Sequence, residues 1–203
     1  MKNFSERRFL FDLDGTITRV ETLPIIARHF GILEDIELLT KQTIDGEISF
    51  VDSFKKRVEL MKDLPVDEVA NLLENVPLHE KILEFIKKNS ERCSIVTGNL
   101  DIWIDSLCQK IGCEYFSSVA TVENNRIQKL DSILQKDLIV KKFQSENFFV
   151  VYIGDGDNDF DAMFEADISI ANEIVHAVPS RVKKIADHIV ETEIDLCRIL
   201  NDI

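Results

Sequence analysis

Three polar clusters in this chain each follow a run of apolar residues: Asp12-Leu13-Asp14-Gly15-Thr16, Thr97-Gly98-Asn99 and Gly154-Asp155-Gly156-Asp157-Asn158-Asp159. Carboxylates gathered in one crevice repel one another, and keeping them ionised away from water requires a cation. The donors are oxygens, with no Cys or His at ligand spacing, and such a set suits Mg²⁺ better than zinc. Gly98 lets backbone amides approach a ligand just before a predicted helix, and a helix N-terminus is an anion site. Thr97 adds a hydroxyl donor. The constellation is carboxylates, a hard metal and a phosphate cradle, with a lysine to neutralise remaining phosphate charge.

Other readings of the same residues fail on position. An EF-hand loop needs glycine sixth and glutamate twelfth. A loop counted from Asp155 has Phe160 and Ala166 there, and one counted from Asp12 has Ile17 and Leu23. No G-x-x-x-x-G-K-[ST] sequence occurs, and Asp159 takes the third glycine position of a dinucleotide fingerprint. The cysteines, Cys93, Cys108, Cys113 and Cys197, form no C-x-x-C pair, which argues against a zinc ribbon and for reduced, mostly core thiols.

The elements that must position these clusters follow from hydropathy. Residues 8–14, 93–97 and 148–153 read as short buried strands, each running into a cluster, with 168–171 and 188–190 as further strands. Pro77 is predicted to open a helix carrying Ile82, Leu83, Phe85 and Ile86. The helix after Gly98 carries Trp103, Leu107 and Ile111 and stops at Gly112; another helix is predicted over 132–143. Residues 115–130 read as a hairpin tipped by Asn124 and Asn125. Strands alternating with helices predict an α/β fold, a Rossmann-like three-layer parallel sheet, whose carboxyl edge would bring the three clusters together. Residues 20–75 interrupt that alternation with helical signals throughout, among them Phe54, Val58 and Met61 on one face. The expected organisation is a core of residues 1–19 and 76–203 with a small all-helical cap, 20–75, inserted after the first strand.

Composition narrows the partners. The chain has 203 residues, 24 basic and 37 acidic side chains and a formal net charge of −13, which argues against binding nucleic-acid phosphates or anionic membrane. The longest apolar run, 148–153, is far short of a membrane span, and the first residues show no signal-peptide pattern. The expectation is a cytoplasmic protein, monomer or homodimer, acting on a small phosphorylated metabolite.

The order of the clusters resembles the haloacid dehalogenase superfamily. Phe11-Asp12-Leu13-Asp14-Gly15-Thr16 is similar to its first signature, Ile95-Val96-Thr97-Gly98 to its second, and Gly154 to Asp159 to its fourth, with a lysine upstream of the fourth. Within it the chain resembles the phosphoserine phosphatase family through the helical segment. Glu21 lies where that family carries a substrate-binding glutamate. Asp45-Gly46-Glu47 with Phe50, Ser53 to Val58, and Lys62-Asp63-Leu64-Pro65 are similar to its cap.

The resemblance implies a Mg²⁺-dependent phosphomonoester hydrolase, most simply of O-phosphoserine. Asp12 is then the nucleophile and forms an aspartyl-phosphate; Asp14 is general acid and then base. Asp12, Asp14 through its backbone carbonyl, and Asp155 hold the metal, and Asp159, counted with them, supports the site and orients the lysine. Thr97, Gly98 and Lys136 hold the phosphoryl oxygens, with Asn158 among the substrate-binding residues. Arg57 binds the substrate carboxylate and Phe50 closes the pocket.

Lys136 is preferred to Lys141 and Lys142 because it sits nearest the helix start. Asn99 stands where the family usually has a second glycine, and Asp157 where it has a small residue. The alternatives are the same chemistry on another small phosphate ester, phosphotransfer, or an inactive metal-binding regulatory domain. Trp103 reads as core, and His29, His79, His176 and His188 are assigned no chemistry.

Overall fold

The computed structural model describes residues 6–44 and 47–203. Asp45 and Gly46, on which part of the resemblance rests, and the first five residues lie outside it. Seven strands form one sheet: β1 (Arg7–Phe11), β2 (Cys93–Leu100), β3 (Glu114–Glu123), β4 (Arg126–Ser132), β5 (Phe149–Gly154), β6 (Ile168–Asn172) and β7 (His188–Val190), in the order β4-β3-β2-β1-β5-β6-β7. Every pairing is parallel except β3 with β4. β1 lies between β2 and β5, so the chain leaves it in both directions. That reversal opens a crevice at the strands' carboxyl ends.

Strand side chains alternate between two cores, as the period of two requires. Phe9, Phe11, Ile95, Val151 and Ile153 pack against α5 (Glu80–Lys88), α6 (Asp101–Ile111) and α10 (Glu193–Asp202). Leu10, Val96, Val150 and Tyr152 face α7 (Lys136–Ser145), α8 (Phe160–Glu165) and α9 (Ser180–Ile185). The central strands are buried on both sides, which is why they read as unbroken apolar runs.

The insert after β1 contains α1 (Thr22–His29), α2 (Leu33–Ile44), α3 (Phe50–Met61) and α4 (Val66–Glu74). Gly31, with φ of 71°, turns the chain after α1, and Ser49 caps α3 by accepting from the Asp52 amide at 3.1 Å. Backbone hydrogen bonds tie the insert to the sheet at both of its ends. Arg19 N donates to Pro77 O at 2.8 Å and His79 N to Ile17 O at 2.9 Å, forming a short antiparallel neck. At the far end the hairpin tip, Asn124 and Asn125, adopts the left-handed backbone that a two-residue turn demands. Asn125 then accepts from the Val66 and Asp67 amides at the start of α4.

Four expected boundaries shift. The second strand does not stop at residue 97 but carries Thr97, Gly98 and Asn99 on to Leu100, which pairs with Ser118 of β3 after a register shift. The first strand ends at Phe11, because the Leu13 carbonyl collects the amides of Ile17 and Thr18 at 3.0 Å and turns the chain. Pro77 opens no helix; its carbonyl serves the neck, and α5 begins at Glu80. The helix expected from residue 132 begins at Lys136, since Ser132 pairs with Val119 in the hairpin.

Candidate active site

Asp12 follows directly on β1, and its amide still donates to the Ile153 carbonyl at 2.8 Å, so the central strands fix its backbone. Its side chain is buried, and Oδ1 accepts from Lys136 Nζ at 2.6 Å. The same ammonium donates to Asp159 Oδ1 at 2.7 Å. Lys136 is the first residue of α7, which aims its side chain at the sheet's carboxyl edge; Lys141 instead pairs on the surface with Asp137. Asp159 is fully buried and accepts four hydrogen bonds. Lys136 and the Tyr152 hydroxyl reach Oδ1, and the Asp155 and Gly156 amides reach Oδ2.

Electrostatics follow the burial. Desolvation and then the neighbouring Asp159 push the Asp12 carboxyl well above the carboxylate range, with Lys136 opposing. Burial would lower the Lys136 ammonium, but Asp12 and Asp159 outweigh it and hold it charged. Desolvation pushes Asp155 up to about 6, against a lowering contact from His176. Asp14 is raised by burial and by Glu21, the direction a general acid needs near neutral pH.

Asp14 lies across the crevice. Its Oδ1 accepts from the Thr22 amide at the start of α1 at 3.1 Å, and Asn99 Nδ2 approaches its Oδ2 at 3.4 Å. Asn99 also donates to Thr22 Oγ1 at 2.9 Å, so the side chain at this position bridges sheet and insert. Thr97 Oγ1 accepts from the Asn99 amide. The Gly98 carbonyl accepts from Ser118 Oγ at 2.8 Å, and Ser118 in turn accepts from the Leu134 amide just before Lys136. Gly15 has φ of 69°, and a Cβ there would meet Asp155 Oδ2 at 2.1 Å, so only glycine fits.

Above this floor is a cavity of about 680 Å³ lined by Asp12, Asp14, Glu21, Phe50, Arg57, Thr97, Gly98, Asp155 and Asn158. Lys136 opens on an adjoining cavity that shares Phe50, Gly98 and Asn158 with the first. Phe50 reaches from α3 to within 3.9 Å of a Cβ placed on Gly98. Arg57 donates to Thr40 Oγ1 at 2.9 Å, its Nε is buried without a partner, and burial lowers its pKa. It pairs with no carboxylate among the described residues. A half-buried guanidinium open to a cavity is a ready anion ligand.

The sequence pointed neither to Tyr152 and Thr22, which bond Asp159 and Asp14, nor to a third residue of the site. His176, in the loop between β6 and α9, places Nε2 2.9 Å from Asp155 Oδ2 and 3.1 Å from Glu21 Oε1. Those two carboxylates raise its pKa to about 11. No local motif marks it, because the loop is brought to the site by distant contacts, the β5–β6 pairing and the hydrogen bond from Asn172 to the Gly15 carbonyl.

The oxygens fit a hard cation. One oxygen each of Asp12, Asp155 and Asp159 lies within 4.8 Å of the others. Asp155 Oδ2 is buried and makes no hydrogen bond, with His176 Nε2 beside it at 2.9 Å. Asp159 has both oxygens in hydrogen bonds already, whereas Lys136 bonds only Oδ1 of Asp12 and Asp155 Oδ2 makes no hydrogen bond, so Asp12 and Asp155 each have an oxygen to offer.

Comparison with known proteins agrees with this geometry. The haloacid dehalogenase-like hydrolase family matches residues 9–163. The chain is 29% identical to a phosphoserine phosphatase of Methanocaldococcus jannaschii over 82% of this chain and 85% of that one. It is 27% identical to one from Archaeoglobus fulgidus, over 83% of this chain but only about half of that one, 53%. A solved phospho-aspartyl intermediate analogue of phosphoserine phosphatase superposes with a TM-score of 0.79 at 29% identity, covering 98% and 99% of the two chains. A substrate-bound phosphoserine phosphatase complex gives 0.80 at the same identity and coverage.

Proposed function

Because the chain belongs to the haloacid dehalogenase-like hydrolases, we propose that it hydrolyses O-phosphoserine to serine and phosphate through an aspartyl-phosphate on Asp12. The broader statement, that it is a phosphomonoester hydrolase, rests on the family and its relatives. The observation that carries the narrower one is the arrangement of charge: Asp12, bound to Lys136, lies in a cavity that also holds Arg57 and Glu21. A phosphate at the floor, a carboxylate on Arg57 and an ammonium near Glu21 describe a phosphorylated amino acid.

Asp12 attacks phosphorus in line as the ester oxygen departs, and Asp14 gives that oxygen its proton. A water molecule then loses a proton to Asp14 and attacks phosphorus, which frees the Asp12 carboxylate. Thr97, the Gly98 amide and Lys136 hold the phosphoryl oxygens, and Asn158 lies at the mouth. Asp12, the Asp14 backbone carbonyl and Asp155 would hold Mg²⁺, which when bound neutralises phosphoryl charge. Asp159 is a positioning residue: its four hydrogen bonds hold Lys136 and the Asp155 backbone. Phe50 over Gly98 screens the site from bulk water.

The test is phosphate release with Mg²⁺ from L-phosphoserine against phosphothreonine, phosphoglycolate and an aryl phosphate. Preference for phosphoserine by kcat/KM supports the reading. Turnover of the aryl phosphate with none of phosphoserine overturns the substrate and keeps the chemistry.

A further inference from the structure

We propose that Asp155, Glu21 and His176 form a mixed oxygen–nitrogen site for a borderline divalent cation such as Zn²⁺ or Co²⁺. This site shares Asp155 with the Asp12 set and draws its other two ligands from outside it. Three donor atoms converge: His176 Nε2 lies 2.9 Å from Asp155 Oδ2 and 3.1 Å from Glu21 Oε1. All three lie within 4.8 Å of one another. Ligands around tetrahedral zinc, with bonds of about 2.0–2.2 Å, stand roughly 3.3 Å apart. The observed separations therefore need to open by only a few tenths of an ångström, and His176 is on an exposed loop that can yield.

Two independent observations aim these atoms at a ligand. Asp155 Oδ2 belongs to a side chain only 4% exposed and has no hydrogen-bond donor. It lies over Gly15 together with Glu21 Oε1, where a Cβ would meet the two oxygens at 2.1 Å and 2.8 Å. The histidine is also oriented as metal ligands are. Its Nδ1 lies 3.2 Å from the Ala177 carbonyl, an atom that can only accept, so Nδ1 carries hydrogen there, and a bound cation would displace the proton of Nε2, the nitrogen that faces the carboxylates. Imidazole nitrogen favours Zn²⁺, Co²⁺ and their neighbours over Mg²⁺, which prefers oxygen alone.

The consequence is inhibition, and this part rests on the phosphoserine reading. A cation held here takes Asp155 from the Asp12 set and puts positive charge where Glu21 would meet the substrate's ammonium. Zn²⁺ should therefore compete with phosphoserine.

The site is tested without turnover. Co²⁺ is titrated into the full chain in excess Mg²⁺, and its visible absorption is followed for the wild type, His176→Ala and His176→Gln. The wild type should take up one Co²⁺ with a band characteristic of nitrogen and oxygen ligation, and both variants should bind at least about tenfold more weakly. Equal affinity and an unchanged band in the variants, or no band in the wild type, overturns the site. Zn²⁺ inhibition of phosphate release is then compared, and His176→Ala should need at least about tenfold more Zn²⁺. Co²⁺ binding without phosphoserine turnover leaves the site standing and sinks the substrate; binding and turnover without inhibition overturn the placement of Glu21.

Discussion

The strand-end groups and the insert groups of this site are held in opposite ways. Asp12, Lys136, Asp159 and Tyr152 form one buried hydrogen-bonded unit whose members lie on or beside β1, β5 and α7. Arg57, Phe50 and Glu21, on or beside helices of the insert, are half-buried or exposed and have few partners among the described residues. Phosphoryl chemistry is the same for every ester, so its groups can be locked before substrate arrives. Recognition of the rest of the substrate needs groups left free to bind it, and a guanidinium with one hydroxyl partner is such a group.

The sharpest break in this comparison is Lys136→Met. Removing the ammonium leaves two buried carboxylates facing each other. We expect activity to fall about a thousandfold and stability by about 3–5 kcal/mol, read by phosphate release and urea unfolding; a variant of wild-type stability contradicts the locked unit. Next comes Gly15→Ala. Its Cβ must displace Asp155 Oδ2, so kcat should drop by about tenfold or more with a loss of roughly 1–3 kcal/mol in stability.

Insert changes should act on substrate alone. Arg57→Ala should raise KM for phosphoserine by about tenfold to a hundredfold, with little effect on an aryl phosphate and less than about 1 kcal/mol on stability, because no ion pair is lost. An equal loss on both substrates would place Arg57 in the chemistry instead. The smallest effect is expected of Phe50→Ala, a few-fold in kcat/KM. Phe50 is 38% exposed, with its ring beside Phe54 and over Gly98, so unfolding should hardly move.

Much of the strand-end arrangement was legible because it is local. A run such as Phe9-Leu10-Phe11 followed by Asp12 is a central strand feeding an edge, and the parallel topology then brings three such ends together. Lys136 was legible for the same reason, as the lysine at its helix start. What escaped depended on distant pairing. Pro77 reads locally as a helix opener, yet its carbonyl is taken by Arg19 across the neck. Ser132 reads as helical until it is seen against Val119. His176 is polar loop sequence, carried to Asp155 and Glu21 by the β5–β6 register and by the Asn172 bond to Gly15. The haloacid dehalogenase-like family match itself covers residues 9–163 and stops short of it.

The central claim is that Asp12 carries the phosphoryl group. Wild-type protein mixed with labelled L-phosphoserine and Mg²⁺, quenched in acid within one turnover and digested, should yield label on the peptide containing Asp12. Asp12→Asn should carry none and should release phosphate about a thousandfold more slowly or worse. Label on another residue, or full-rate turnover by Asp12→Asn, would contradict the account.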